Sequence, residues 1–412
     1  MSEATDPPSF RPYCLTCGSG EPPAALRCTN CGGVLAFEYE RSFVPDAAFA
    51  RSMWKYWRRL PVAGPGQIVT LEEGGTPLLA SRSVSQPLWF KDETRNPTGS
   101  HKDRALAVAV SHARSLGRRV SVVVSSGSTG IANAAACARA GIQAVVVVGR
   151  GVPDERLYPA FALGARIIEV DTDVDTVVER VAELGASGEV YVSSTARSSN
   201  PYQAEGAKTI AYEVADQLAG VPDWFVVPIG GGGTAAAIWR GFRELYELGH
   251  IQRLPRLLGV VATGYDAIAR ALEKDVEDPL TIFGPGYDPP PTVLVKIAHV
   301  FPPDGVESLH AIRDSGGSAL AVSDAEALQA QRDVAASEGL FVEPSSAAAF
   351  AAFEKARESA LIGPDARVVL LLSGSGFRET FISSRFQPVE RTVTSLSEAR
   401  SLLARLEEGV AA

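Results

Sequence analysis

The chain has 412 residues, 46% hydrophobic and 21% charged, with a formal net charge of −9. That length exceeds one ordinary domain, and the apolar content describes a large folded core, not a disordered chain. The acidic surplus, with no basic block longer than Trp57-Arg58-Arg59, argues against nucleic acid as a partner.

The first residues, Met1-Ser2-Glu3-Ala4-Thr5-Asp6, are acidic and polar, unlike a secretory leader. Apolar runs such as Ala144 to Val148 are far too short to span a membrane. A soluble cytoplasmic enzyme or binding protein is therefore expected, with no membrane partner. Four of the five cysteines lie in the first 31 residues, as Cys14-x-x-Cys17 and Cys28-x-x-Cys31. Glycine follows each pair (Gly18; Gly32 and Gly33), so the backbone can turn tightly around an ion. Cys14, Cys17, Cys28 and Cys31 thus match a tetrahedral zinc, closed to further ligands and hence structural. Reduced hairpins without metal, or redox pairs, are the alternative. Five cysteines in so long a chain do not make a disulfide scaffold. Val34 to Tyr39 reads as a strand leaving this ribbon. The spacing of Trp54, Trp57 and Leu60 predicts one short amphipathic helix over Arg51 to Leu60. Gly74, Gly75 and Pro77 predict a turn between two short strands within Val69 to Leu79.

Leu88-Trp89-Phe90 reads as a strand, and Ala105 to Val110 as the opening of a buried helix. Between them Asn96-Pro97-Thr98-Gly99-Ser100 has loop chemistry and delivers Lys102 to the helix N-terminus. The positive end of a helix dipole lowers an amine's pKa, as a nucleophilic or Schiff-base lysine requires. A solvated loop lysine is the alternative reading. Strands are then expected at 119–124, 144–148 and 165–170, with helices at 131–140, 154–163 and 175–184. Cys137 in the first of these helices reads as a small core residue. Such Val/Ile runs separated by helices indicate parallel βα units, whose ligands sit at the carboxyl ends of strands. The loop Ser125-Ser126-Gly127-Ser128-Thr129-Gly130 is one such strand end, suited to offering hydroxyls and N–H groups or to tight packing.

Asn200-Pro201-Tyr202 leads into a helix that runs to Leu218. Trp224 to Ile229 is a strand running straight into Gly230-Gly231-Gly232-Gly233-Thr234 and a helix from near Ala235. Exposed N–H groups at a positive helix end cup a phosphate. The run lacks the Gly-Lys-Ser/Thr ending of a nucleotide loop and fits dinucleotide spacing poorly, so a small phosphorylated cofactor suits it better. A flexible linker is the alternative, though its flanks are apolar. Residues 284–303 are rich in proline and glycine and read as an irregular excursion. A strand at 318–322, helices at 324–339 and from Pro344, and a strand at 367–372 ending in Ser373-Gly374-Ser375-Gly376 complete the core. A helical tail is expected over 395–408.

A reactive lysine, a glycine cup and hydroxyl-bearing strand ends together suggest pyridoxal phosphate. At this point the chain resembles the threonine synthases, within the fold type II pyridoxal-phosphate enzymes that include tryptophan synthase β. The resemblance rests on the cysteine ribbon, Glu73-Gly74-Gly75-Thr76-Pro77-Leu78 and Asn96 through Arg104. It continues through Asn200-Pro201-Tyr202 with Glu205-Gly206 and Lys208-Thr209, the glycine cup, Val342-Glu343-Pro344-Ser345-Ser346 and the Ser373 loop. It implies an α/β fold of two doubly wound parallel-sheet domains with the site in the cleft between them. The expected divisions are a zinc-ribbon-like module at 1–40, a large domain at 41–110 and 200–390, a small one at 111–199 and a tail at 391–412. Lys102 would form the Schiff base and move protons, Gly230, Gly231, Gly232, Gly233 and Thr234 would hold the cofactor phosphate, and Ser373 would face the ring nitrogen. Ser128 would contact the cofactor hydroxyl, and Thr98, Ser100, Ser125, Ser126, Thr129 and Asn200 would surround the substrate. The implied reaction converts O-phosphohomoserine and water to threonine and phosphate, in a homodimer whose partner is a small O-phosphorylated amino acid. A β-replacement or serine/threonine dehydratase activity is the alternative. Four departures fall near the site: His101 where phenylalanine is usual, Ser128 for asparagine, Gln203 for arginine or an aromatic residue, and an unmatched segment from Val293 to Val300.

Overall fold

The β-branched runs of the sequence become the strands of two mainly parallel sheets beside a small antiparallel ribbon. A computed structural model describes residues 10–378, apart from 42, 172–176, 178, 179, 182, 186–189 and 195, together with 379, 395, 396, 398 and 399. Of the helix expected at 175–184, residues 177, 180, 181, 183 and 184 are described and helical, while the tail expected at 391–412 lies largely outside the described residues. The chain divides into two units, one ending at Arg378 and one of Glu379–Ala412. In the second, the Ser395 hydroxyl accepts from the Glu398 N–H at 3.3 Å, a helix-start cap.

The ribbon is β1 (Phe10–Cys14) paired antiparallel with β2 (Leu35–Tyr39). The larger sheet holds β3 (Leu78–Ala80), β4 (Leu88–Asp92), β9 (Trp224–Pro228), β10 (Arg256–Ala262), β11 (Ser318–Val322) and β12 (Val368–Leu372). Its order is β11-β10-β9-β12-β4-β3, and only the β3 edge runs antiparallel. The smaller sheet holds β5 (Val120–Val124), β6 (Gln143–Gly149), β7 (Arg166–Val170) and β8 (Tyr191–Val192) in the order β7-β6-β5-β8, all parallel. Every residue of β9 and β12 is buried, as expected for strands covered on both faces.

Two expectations need correction, and one strand carried none. Residues 53–59 form a 3-10 segment with a break at Tyr56, not one α-helix. Trp54, Trp57 and Leu60 do enter one core, as their three-residue spacing implies, but Tyr56 turns to the core of the larger sheet, where the helix is broken. No strand forms over Val69 to Leu71. The Val69 N–H donates to Ser111 Oγ and the Leu71 N–H to Glu73 Oε2, so side chains take the bonds a partner strand would supply. Strand β10, inside the β11 edge, went unread because Gly259 interrupts its apolar run; a Cβ there would meet Ile229 and Ile312 at 2.7 and 2.9 Å.

Two buried contacts fix the frame around the lysine. Helix α1 (Lys102–Ser115) carries Arg104, which is fully buried. Its guanidinium donates to both carboxylate oxygens of Glu93 and both of Glu213, each at 2.7 Å, and to Thr76 and Thr209 hydroxyls. Lys91 donates to Glu213 at 2.6 Å from the other side. Elsewhere His112 Nε2 donates to the Pro23 carbonyl of the ribbon at 2.8 Å, and the Tyr202 hydroxyl donates to the same oxygen. The His112 ring stacks on Tyr202 at 3.5 Å between centroids.

Truncating Arg104 strands two carboxylates in the core. Arg104→Met is expected to lose about 3–5 kcal/mol of stability. Arg104→Lys is expected to recover little, because a single ammonium cannot serve two bidentate partners. Urea unfolding followed by circular dichroism reads both; a loss below about 1 kcal/mol, the range of a surface ion pair, would contradict the clamp.

Candidate active site

Residues that leave the carboxyl ends of β4, β5, β6, β9 and β12 meet around a cavity of about 420 Å³. Its wall includes Lys102 and His101, Ser125 to Thr129, Gly230 to Ala235 and Ser373. Parallel strands converge their loops at one edge, which is why segments far apart in sequence share one space.

Lys102 is the first residue of α1, immediately beyond the Asn96–Ser100 loop. Burial pushes its pKa down to about 8, with nearby Asp304 and Glu343 opposing and Lys296 reinforcing that shift. A sizeable neutral fraction at physiological pH is what an amine needs to attack an aldehyde. His101 is locked by two bonds: the Ser373 carbonyl accepts at 3.0 Å from Nδ1, leaving Nε2 to accept from the Thr234 hydroxyl at 3.1 Å. Burial, with Lys102 adjacent, lowers its pKa to about 3. The ring is therefore a neutral strut between two cavity loops and carries no charge near pH 7.

The glycine cup is built by close approach. A Cβ on Gly230 would meet the Lys296 carbonyl oxygen at 2.3 Å, and one on Gly232 the Asp304 carbonyl oxygen at 2.4 Å. Gly232 also has φ +100°, which side chains rarely adopt. The helix Gly233–Glu247 starts inside the cup, one or two residues earlier than the sequence suggests, so its free N–H groups and positive end face the cavity. The opposite lip is formed likewise: helix α2 (Ser128–Ala140) starts within the Ser/Gly loop. A phosphate in the cup, a ring in the cavity and an aldehyde at Lys102 fit the donors present.

Of the residues singled out from the sequence, Lys102, Ser125, Ser126, Ser128, Thr129, Gly230 to Thr234 and Ser373 line one space. Three stand behind it. The Thr98 hydroxyl and N–H donate to Asp103, at 2.7 and 2.9 Å. Ser100 is buried and bridges to Gly374. Asn200 is fully buried; its amide donates to Tyr191 Oη and the Val192 carbonyl, while its oxygen accepts from the Tyr202 and Gln203 N–H groups. Sequence reasoning missed Lys296, Asp304 and Arg156 on the wall. Lys296 and Asp304 lie on or just past the Pro/Gly-rich excursion, which carries no periodic signal, and Arg156 sits in an exposed-looking helix start. Glu343, inside a motif noted above, also lines the cavity.

Away from the cavity, the four ribbon sulfurs lie within 4.8 Å of one another. The Cys14–Cys31, Cys17–Cys28 and Cys17–Cys31 pairs are 3.5, 3.6 and 3.6 Å apart. Tetrahedral zinc–sulfur bonds of ~2.3 Å place sulfurs about 3.8 Å apart, so the donor set fits that ion. The Thr16 and Cys31 N–H groups donate to the Cys14 and Cys28 sulfurs, as thiolates require.

Residues 69–374 match the family described as pyridoxal-phosphate dependent enzyme. The chain is 35% identical to the threonine synthase of Methanocaldococcus jannaschii over 89% of its own length and 92% of that protein. It is 36% identical to the threonine synthase of Mycobacterium tuberculosis over 79% of its length and 87% of that protein. Among solved structures, a threonine deaminase from T.th. aligns with TM-score 0.60 and 25% identity, covering 73% of this chain and 92% of that one. An O-ureido-L-serine synthase aligns with TM-score 0.61 and 22% identity over 79% of this chain and 96% of that one, a likeness of fold alone. Fold, cavity and relatives agree: the chain belongs to the threonine synthase family of pyridoxal-phosphate dependent enzymes.

Proposed function

We propose that the enzyme converts O-phosphohomoserine and water to threonine and phosphate. The observation that carries this reading is a second place for a phosphate, apart from the glycine cup. Lys296 Nζ comes within 2.4 Å of where a Cβ of Gly127 would lie, and Arg156 Nη2 within 3.9 Å of the same point. Among the described residues Arg156 Nε is buried without a hydrogen-bond partner. Two cations converging on the Ser/Gly loop suit a dianion on the substrate better than the neutral hydroxyl of serine or threonine.

When bound, the cofactor supplies the electron sink that makes carbon–hydrogen bonds beside the amino group acidic. The chain's own residues do the rest. Lys102 Nζ holds or releases a proton near pH 8 and serves as the local base. Ser125, Ser126 and Thr129 offer hydroxyls, and the α2 N-terminus its N–H groups, to the substrate carboxylate. The Ser373 hydroxyl is suited to a ring nitrogen, as a neutral partner that leaves the nitrogen's charge low. Lys296 and Arg156 receive the departing phosphate oxygens. Thr98, Ser100 and Asn200 act by holding the loops that touch substrate. The ribbon cysteines Cys14, Cys17, Cys28 and Cys31 are read as ligands of one structural zinc. A cytoplasmic homodimer remains the expected setting, and sedimentation velocity tests the assembly.

Four outcomes test these readings. Purified enzyme should release phosphate and form threonine from O-phosphohomoserine; ammonia and an oxo acid from serine or threonine would select the dehydratase instead. Lys296→Met should raise KM for the phosphorylated substrate about tenfold or more, the loss of one charged contact. In cofactor-free protein, capture of pyridoxal phosphate at Lys102 should quicken as pH rises through about 8, where the amine loses its proton. Lys102→Ala should abolish capture; a flat profile from pH 7 to pH 9 would refute the depressed pKa. Metal analysis should find one zinc per chain, lost in Cys14→Ser.

A further inference from the structure

By the resemblance drawn from the sequence, Ser128 stands where an asparagine would be expected, and its hydroxyl is shorter than an amide. In this chain a guanidinium steers it. Arg378, in the short turn Gly376–Arg378 that follows β12, donates from Nη2 to Ser128 Oγ at 3.1 Å. Its stem lies against the lysine loop: a Cβ on Gly99 would meet Arg378 Cδ at 2.9 Å. The same turn is fastened to that loop by the Ser375 N–H, which donates to the Gly99 carbonyl at 2.9 Å. Among the described residues Arg378 Nη1 is buried with no hydrogen-bond partner, while the nearby Asp103 carboxyl feels the Arg378 charge without bonding to it.

A guanidinium has donors only, so Ser128 Oγ must accept in this contact. A hydroxyl has a single proton, and the acceptor role leaves that proton free for the cavity that Ser128 lines. Donation from a cation also strengthens the hydroxyl as a donor in its own right. We propose that Arg378 is a positioning residue that fixes Ser128 as a hydrogen-bond donor to an oxyanion at the cofactor end of the cavity, the cofactor's ring oxygen. The charged groups facing the pair are Asp103 from α1, Lys296 and Arg156 at Gly127, and Glu343 against Gly374. The proposal rests on the pyridoxal-phosphate reading.

The experiment uses the cofactor-loaded enzyme without substrate and follows its visible absorbance against pH. A cation behind the hydroxyl favours the form with one proton fewer. Removing it should therefore raise the pH midpoint of the spectral change, by about one unit for one charge-assisted bond. Arg378→Ala and Ser128→Ala should each raise it, and the double variant should raise it no further than either alone. Arg378→Lys should recover part of the shift. If Arg378→Ala is poorly folded, Ser128→Ala, which deletes one oxygen, carries the test. Unchanged midpoints, additive shifts in the double variant, or a shift seen only after substrate is added would overturn the proposal, the last by assigning the oxyanion to substrate carboxylate. A wild-type protein with no cofactor band would instead refute the cofactor reading.

Discussion

One buried guanidinium governs where the reactive amine sits. Arg104 lies two residues beyond Lys102 on the same helix, and its four carboxylate bonds reach the turn after β4 and the helix that carries Glu213. The loop bearing Lys102 is therefore held at both ends by charges that cannot relax toward water. Buried ion pairs often add little net stability, but breaking one is costly, so such pairs favour one arrangement over its neighbours. The glycines around this clamp are there to let backbone approach it. A Cβ on Gly206 would meet the Arg104 carbonyl at 2.3 Å, and one on Gly74 would meet Arg104 Nη1 at 2.8 Å. The Glu73–Leu78 and Glu205–Thr209 motifs thus serve the clamp, by way of Thr76, Gly206 and Thr209, more than they touch the cavity.

The cavity combines two kinds of electrostatics. Helix starts at Gly233 and Ser128 point positive ends inward, and the cationic side chains Lys296 and Arg156 join them on the wall. Against them stand Asp304 and Glu343. Burial raises the pKa of Asp304 to about 6, although its carboxylate accepts the Arg197 N–H at 3.0 Å. A site weighted toward positive charge suits ligands bearing phosphate and carboxylate, and the remaining carboxyls keep it from being uniformly cationic.

Much of this was legible in the chain itself. The cysteine spacing, the glycine run after an apolar strand and the lysine after a Pro/Gly loop each have a local cause, and each lies where that cause puts it. Lys296, Asp304 and Arg378 were not legible, because nothing near them in sequence shows what they face. Lys296 and Asp304 lie between β10 and β11 and Arg378 follows β12, so the pairing of distant strands, and not local sequence, brings them to the site. Asn200 misled for the opposite reason. Its motif is distinctive, yet its amide is consumed by Tyr191, the Val192 carbonyl and two backbone N–H groups. In the tryptophan-rich stretch the buried face of Trp54, Trp57 and Leu60 was read from its spacing, but not the 3-10 winding or the break at Tyr56, whose side chain is drawn to a second core.

The carbonyl of Pro23 has a bearing on how the molecule could be shortened. His112 and Tyr202 both spend their donors on that single oxygen, and Tyr202 begins the segment whose next residues, Gln203 and Ala204, line the cavity. Excising the cysteine-bearing hairpins would leave an imidazole and a phenol searching for a replacement acceptor in the interior. The ribbon is in this sense a keystone and not an ornament: a minimal version of the enzyme would have to refill that socket before its catalytic wall could close.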